Sequence, residues 1–390
     1  MYVTRPLSYF INNSNSLSIP PEGPNSGYLV IQDENSETYS CFGMYKNTDL
    51  IHLPFPQSKN LTTRYSSGEN TYHHRLAFFP VLNQPLSKNR YYVIDAYGKH
   101  KGMAYACSKE EDMTTCCFCR HVKDVKPRPF DPYDKYQQFK IVNHATKGSF
   151  YAASVARAAF PPSFLSTRGW LISSKTPKNY KLGEALGLDS TLRARLPDLG
   201  FPLSHESSEA VVVGRWYCPF IFIKDGRLST SRDQMEKSMF YEMTLEKRWE
   251  QIFEHDNIDG GNVVMVNAVV EREVVSIGGT KAVWNEKNMI DRSCKTKWYK
   301  GYGSRREVSI GLSSEIVERM KWEEERVGWI SGGEREVRVD KVEEFKGGVK
   351  GWRRFGCYVL VERFVLKRMD GSLVMTYDFK HTQQLKCMWE

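Results

Sequence analysis

The stretch Cys357–Lys380, CYVLVERFVLKRMDGSLVMTYDFK, is where the fold is most legible. Two runs of aromatic and β-branched residues meet at Asp370-Gly371. An Asp-Gly dipeptide between alternating hydrophobics predicts a hairpin, with a type I′ turn as the expected connection. After the turn, Leu373, Met375, Tyr377 and Phe379 alternate with Val374, Thr376, Asp378 and Lys380, which predicts one buried face and one wet face. Before it, Tyr358, Leu360, Phe364 and Leu366 form an apolar set that contains Glu362, and Arg363 falls in the opposite set with Val359, Val361 and Val365. A charge on an otherwise apolar strand face has to be paired or lie in a wet cavity.

The same pattern recurs upstream. In Val263–Ile277 the positions Val264, Val266, Ala268, Val270 and Val274 form an apolar face interrupted by Arg272. Arg272, Glu362 and Arg363 are therefore candidates for a polar pocket inside a curved sheet, the plain alternative being a bulge or an exposed strand end. Short strands are also expected at Tyr28–Ile31, Leu76–Leu82 and Tyr91–Ile94, each rich in aromatic or β-branched residues and bounded by Gly, Pro or Asn. Helix signals are few. Asp189 is placed to cap Ser190–Leu196 before Pro197, and Ser313 or Ser314 to cap a helix running to Val327 before Gly328. The βαβ alternation of a doubly wound fold is missing. The expected class is α+β with predominantly antiparallel β-sheet, in two β-rich halves with a few short helices. We expect an N-terminal domain over 1–203, with a loop or arm at 11–27 and short helices in 177–203. A C-terminal domain follows over 209–390, with one helix near 313–327.

Bulk composition excludes several classes. The chain has 390 residues, 41% hydrophobic and 26% charged, which argues against disorder, collagen-like and coiled-coil architectures. No stretch approaches the roughly 18 apolar residues of a membrane helix. Arg5 is followed by Ser and Asn where a signal peptide would carry its apolar core, so a cytoplasmic or nuclear location without membrane insertion is expected. The net charge of +9 is mild for this length and points only weakly to nucleic acid.

Three patterns could carry chemistry. Five of the nine Cys stand alone, at positions 41, 218, 294, 357 and 387, which fits free thiols in a reducing interior. The remaining cluster gives Cys107, Cys116, Cys119 and His121 as candidate zinc ligands, with the short C-x-x-C knuckle spacing. Against zinc, no second knuckle follows, and strand alternation through CCFCRHV spreads donors too widely on one face. Buried thiols are the preferred reading there. The second pattern is basic and aromatic: Lys295, Lys297, Trp298, Lys300, Arg305 and Arg306 could neutralise phosphates while rings stack on bases. No nucleic-acid-binding signature accompanies it, so a solvated loop beside core aromatics is preferred. The histidines select nothing; His73 and His74 are adjacent and on a strand point apart. The chain carries no nucleophile elbow, phosphate loop, dinucleotide fingerprint or H-E-x-x-H. No cofactor is expected, zinc being the one metal the residues raise.

Several phrases taken together resemble a plant family known only as domain of unknown function 1262. They are MYVTRPLS, PPEGPNSGYLVIQDE, NRYYVIDAYGKHKG, DVKPRPFDP, PKNYKLGEALGLDSTLRARLP, KSMFYEMTLEKRWEQIF and WRRFGCYVLVERFVLKRMDGSLVMTYDFKH, spread from Met1 to His381. The resemblance implies an intracellular land-plant protein, loosely tied to stress or defence, and assigns no catalytic residue. The leading expectation is a non-catalytic protein that binds a partner protein or a small ligand. An enzyme of specialised metabolism with an uncatalogued site is the first alternative, and a nucleic-acid binder using 295–306 the second.

Overall fold

The computed structural model describes residues 1–40, 44–116, 119–146, 148–228, 230–284, 296–302, 307–330, 335–347 and 351–390. In chain order its strands are β1 (Tyr2–Pro6), β2 (Gly27–Ile31), β3 (Tyr39–Ser40), β4 (Tyr45–Lys46), β5 (Asp49–Leu50), β6 (Asn60–Ser67), β7 (Asn70–Pro80) and β8 (Arg90–Asp95). Then come β9 (Met113–Cys116), β10 (Cys119–Val122), β11 (Gln138–Asn143), β12 (Phe150–Ser154), β13 (Leu171–Lys175), β14 (Gly187–Leu188), β15 (Val211–Pro219) and β16 (Ile223–Asp225). The last are β17 (Phe240–Asp256), β18 (Val263–Glu271), β19 (Glu273–Ile277), β20 (Thr280–Trp284), β21 (Thr296–Tyr302), β22 (Glu307–Ser313), β23 (Glu336–Glu344), β24 (Arg354–Arg368) and β25 (Leu373–Trp389). The α-helices are short: α1 (Leu7–Asn12), α2 (Ser163–Ser166), α3 (Ser190–Ala194), α4 (Ser231–Lys237) and α5 (Ser314–Glu325). The molecule is thus mostly antiparallel sheet with a few short helices, and β1 with β2 is the one parallel pair among the described residues.

Two sheets dominate. One runs β12-β11-β8-β7-β6-β13-β5; the other runs β16-β22-β21-β20-β19-β25-β24-β17-β15-β1-β2, with β14 on β15. The sheets do not divide at 203–209, because β1, β2 and β14 pair into the long sheet. The first sheet is buried on both faces only at its centre, along Leu76–Pro80 and Tyr91–Ile94, so those stretches read as unbroken apolar runs. Along β7, Leu76 and Phe78 point one way, into a core with Phe55, Phe150 and Trp170. Ala77 and Phe79 point the other way, into an interior shared with Trp216, Phe222 and Phe240 of the long-sheet half. Tyr91 with Val93, and Tyr92 with Ile94, repeat the division on β8. That shared wall joins the two halves.

The hairpin β24–β25 holds the long sheet together, but its turn differs from expectation. Gly371 has φ 81°, whereas Asp370 is not among the positive-φ residues, so type I′, which requires both, is excluded. The Gly371 N–H donates to the Arg368 carbonyl, and the Arg368 N–H to that of Ser372, both at 2.9 Å. This is a three-residue loop with its glycine in the left-handed position, a G1 bulge. Val263–Ile277 forms two strands that break at Arg272, whose backbone N–H turns aside to the Arg335 carbonyl. The Asp189 side chain caps α3 by accepting from the Leu192 N–H at 2.8 Å, as expected. Ser313 occupies the cap position of α5 without a side-chain bond to it.

Candidate functional site

A cleft of about 1150 Å³ opens where the two sheets meet. One wall is the β6–β7 hairpin, where His73, Arg75, Ala77 and Phe79 alternate onto the cleft face. The face thus passes from polar to apolar as the strand descends. The opposite wall is α4, which places Arg232, Met235 and Glu236 together through i, i+3 and i+4 spacing. Thr230 caps this helix, accepting from the Asp233 N–H at 3.1 Å. At its other end the Asn179 side chain donates to the carbonyls of Met235 and Glu236, at 3.3 and 3.2 Å. That contact fastens the strap 175–180 across the cleft. Tyr180, buried, anchors the strap by donating to the Gln57 carbonyl at 3.3 Å.

Gly102 closes one end. Its φ is +84°, and a Cβ there would sit 2.6 Å from the Ser231 carbonyl oxygen. Only glycine lets this loop approach the start of α4 so closely. The approach brings Lys101 to Glu236 at 2.9 Å.

The cleft is strongly positive. Among the described residues, Lys59, Arg75, Lys101, Lys175, Lys178 and Arg232 line it against one carboxylate, Glu236. That carboxylate is shared by Lys101 and by Arg232 at 3.6 Å, and the Lys101 hydrogen bond holds it below the usual range. Arg75 stacks over the Tyr97 ring at 4.7 Å, and Lys59 reaches Glu37 only at 4.0 Å. Among the described residues neither Lys175 nor Lys178 has an ion-pair partner. The floor is apolar: Phe79, Met235, Met239 and Phe240 belong to the shared interior.

A second cluster of ionisable groups is wholly buried. Arg193, on α3, donates from Nε to both oxygens of Glu362 at 3.2 and 3.0 Å. It also reaches Glu323 at 3.4 Å and Glu324 at 3.2 Å from the last turns of α5. Lys247 on β17 donates to the Arg193 carbonyl at 2.6 Å and lies 3.9 Å from Glu362. Burial alone would raise Glu362, but the Arg193 hydrogen bond and charge outweigh it and hold it below the usual range. Burial, then the neighbouring Glu362, push Glu324 well above it. Of the two, Glu324 is the one that holds its proton more tightly. Burial lowers His381 to about 4, so its ring is neutral. Its Nε2 lies 3.1 Å from Glu324, and its Nδ1, without a partner, is the bare acceptor of that tautomer.

Glu324, Glu362 and His381 offer donor atoms within 4.8 Å of one another, a spacing that a metal ion could use. The surroundings do not fit one. Arg193 already occupies both oxygens of Glu362, and a cation would have to displace a buried guanidinium while facing Lys247. The cluster ties α3, α5, β17, β24 and β25 into one piece.

The residues expected from sequence are scattered. Glu362 is indeed a buried charge on an apolar face, paired as reasoned. Arg363 points to the other face and grips Asp378 with two bonds of 2.6 Å, and Arg272 lies over the Trp329 ring at 5.3 Å. The three thus meet different partners, Glu362 with Arg193, Arg363 with Asp378 and Arg272 with Trp329. Lys297, Trp298 and Lys300 lie half-buried on β21, with Lys300 paired to Glu307 at 2.5 Å; Lys295, Arg305 and Arg306 lie outside the described residues. Cys107 is buried, and burial pushes its thiol up to about 11. Cys116 and Cys119 face each other across β9–β10 by backbone register, and the side chains of both and of His121 lie outside the described residues. His73 and His74 do point apart, His73 to the cleft and His74 onto Phe164 at 4.2 Å.

Sequence reading missed the cleft cations, because they come from five separate segments. Two local signals existed: Arg75 at the polar end of the β7 face, and two lysines within three residues of Pro177.

Residues 22–118 match the family model described as Protein of unknown function (DUF1262). The match runs from just before β2 through β9 and includes Lys59, Arg75 and Lys101 of the cleft. It is narrower than the Met1–His381 span of the resemblance and carries neither the whole-chain extent nor the plant origin. No curated protein matches the chain. Among solved structures it is similar to the crystal structure of Cry35Ab1, with TM-score 0.47 and 11% identity, over 86% of this chain and 90% of that one. A likeness at that level carries no argument about what this chain does. No helix among the described residues is long and apolar enough to cross a membrane.

Proposed function

We propose that the protein is a binding protein for an anionic, partly apolar small molecule, held in the cleft between α4 and the β6–β7 hairpin. The carrying observation is six cations against one carboxylate above a floor of Phe79, Met235, Met239 and Phe240. Cations with low-dielectric walls behind them focus their field on the opening and attract anions. The volume lies just above the usual range for small-molecule pockets, leaving room for a ligand with water around it. Binding without turnover is the reading, since the one carboxylate of the lining is already engaged by two cations. We carry forward, as part of the proposal, a plant intracellular setting in stress or defence.

The test uses anilinonaphthalene sulfonate, an anionic apolar dye, with Nile red as the uncharged comparison. Saturable dye binding that weakens with salt supports the proposal. Lys175→Glu with Lys178→Glu should weaken it about 10-fold, the effect of about 1.4 kcal/mol of lost attraction. Equal affinity in wild type and the double variant would refute it.

A further inference from the structure

We propose that Cys357 and Cys387 form a redox-active cross-strand dithiol, closed to a disulfide by hydrogen peroxide and reopened by small thiols. The two residues stand directly opposite each other on β24 and β25. Opposed residues of an antiparallel pair have Cα atoms about 4.5 or 5.5 Å apart, depending on whether the pair is hydrogen-bonded, and both values lie inside the range a disulfide spans. Closure therefore needs rotation of two side chains and no shift of either strand.

The surroundings favour reaction. Both thiols are free, and Cys387 donates its S–H to the Cys357 sulfur. That bond comes first, and the Lys341 ammonium on β23 adds to it, holding Cys357 below the usual thiol range despite burial. Cys357 is buried and Cys387 half-buried, so oxidant arrives from the Cys387 side, where Lys341 also reaches solvent. By contrast, burial raises the thiols of Cys107 and Cys218, each to about 11.

The chemistry balances. One sulfur of the pair, as thiolate, attacks a peroxide oxygen; the O–O bond breaks and the hydroxide released takes a proton to become water. The sulfenic acid formed is attacked by the second sulfur, which expels a second water and forms the S–S bond. Two thiols and one hydrogen peroxide thus give one disulfide and two waters. A small dithiol reverses the step by exchange.

The test treats the full-length reduced protein with a slight molar excess of peroxide, alkylates it and digests it with trypsin without reduction. Cleavage after Arg354, Arg363 and Lys386 releases FGCYVLVER and CMWE. The expected result is a single linked species of these two peptides, lost on treatment with dithiothreitol. Phenylarsine oxide, which bridges paired thiols, should bind wild type at this site and not the Cys387→Ser variant, whose circular dichroism spectrum should match wild type. Lys341→Met should keep the link but slow its formation and shift its rate profile to higher pH. Separate alkylation of both peptides after peroxide treatment of the folded protein would overturn the proposal, as would arsenical protection of the cysteine in FGCYVLVER that is unchanged in Cys387→Ser.

Discussion

Replacing Arg193 by methionine tests whether its guanidinium holds five elements together. Arg193 is buried, with Glu362 bound at both oxygens and Glu323 and Glu324 beside it. Without it, Glu362 retains the hydrogen bond from Glu324 and Lys247 at 3.9 Å, with no guanidinium beside it. Breaking a buried pair by removing one partner costs about 3–5 kcal/mol. With about 2.1 cal/mol/K of unfolding entropy per residue, a chain of 390 residues loses about 5 °C in Tm for ~4 kcal/mol. Scanning calorimetry at neutral pH measures this directly. Arg193→Met with Glu362→Leu removes both charges and should recover most of the loss, because no uncompensated anion remains. The pH dependence supplies the sign. In the wild type the depressed Glu362 contributes stability that is present above about pH 4.3 and lost as pH falls through its folded value. In Arg193→Met, burial is left to raise the Glu362 carboxyl, and the stability it then withholds returns as pH falls through that raised value toward about 4.3. A single variant within about 1 °C of wild type, less than a quarter of the expected shift, would refute the reasoning, as would a double variant no better than the single.

Further outcomes follow from the same geometry. His381 should titrate near pH 4 by proton NMR; because its folded value is lowered, its contribution is present above about 6.5, lost as pH falls toward 4, and worth up to about 3 kcal/mol. Gly102→Ala should destabilise by about 2 kcal/mol or more, since it adds a strained positive φ to a contact with the Ser231 carbonyl, and should weaken dye binding by displacing Lys101. Arg75→Glu should reduce dye affinity and flatten its salt dependence while leaving the thermal midpoint nearly unchanged, because the side chain is exposed.

The sheet was legible where one strand face is apolar. Alternation placed the two strands that follow and precede Asp370-Gly371, and the position of that turn, though not its type, because neighbouring backbone angles decide between I′ and a bulge. The partner of Glu362 was out of reach: Arg193 lies 169 positions away on a five-residue helix, and its neighbours there predict only a cap. The dithiol was hidden by a smaller device. Counting outward from the turn in the register Phe364↔Tyr377 puts Gln384 opposite Cys357. Between Leu360↔His381 and Val359↔Leu385, residues 382–384 are left over, and that bulge brings Cys387 into place. The cleft was hidden for a third reason, since charge that gathers from distant segments leaves no local excess.

The wall shared by the two sheets has a mechanical consequence for the cleft. Phe79 and Phe240, which form its floor, are also the bolts of the joint beneath it. Opening the trough like a clamshell would pull apart that joint and wet the largest core of the molecule. A ligand therefore meets a preorganised surface, and its capture rate should follow ionic strength rather than any slow isomerisation of the protein.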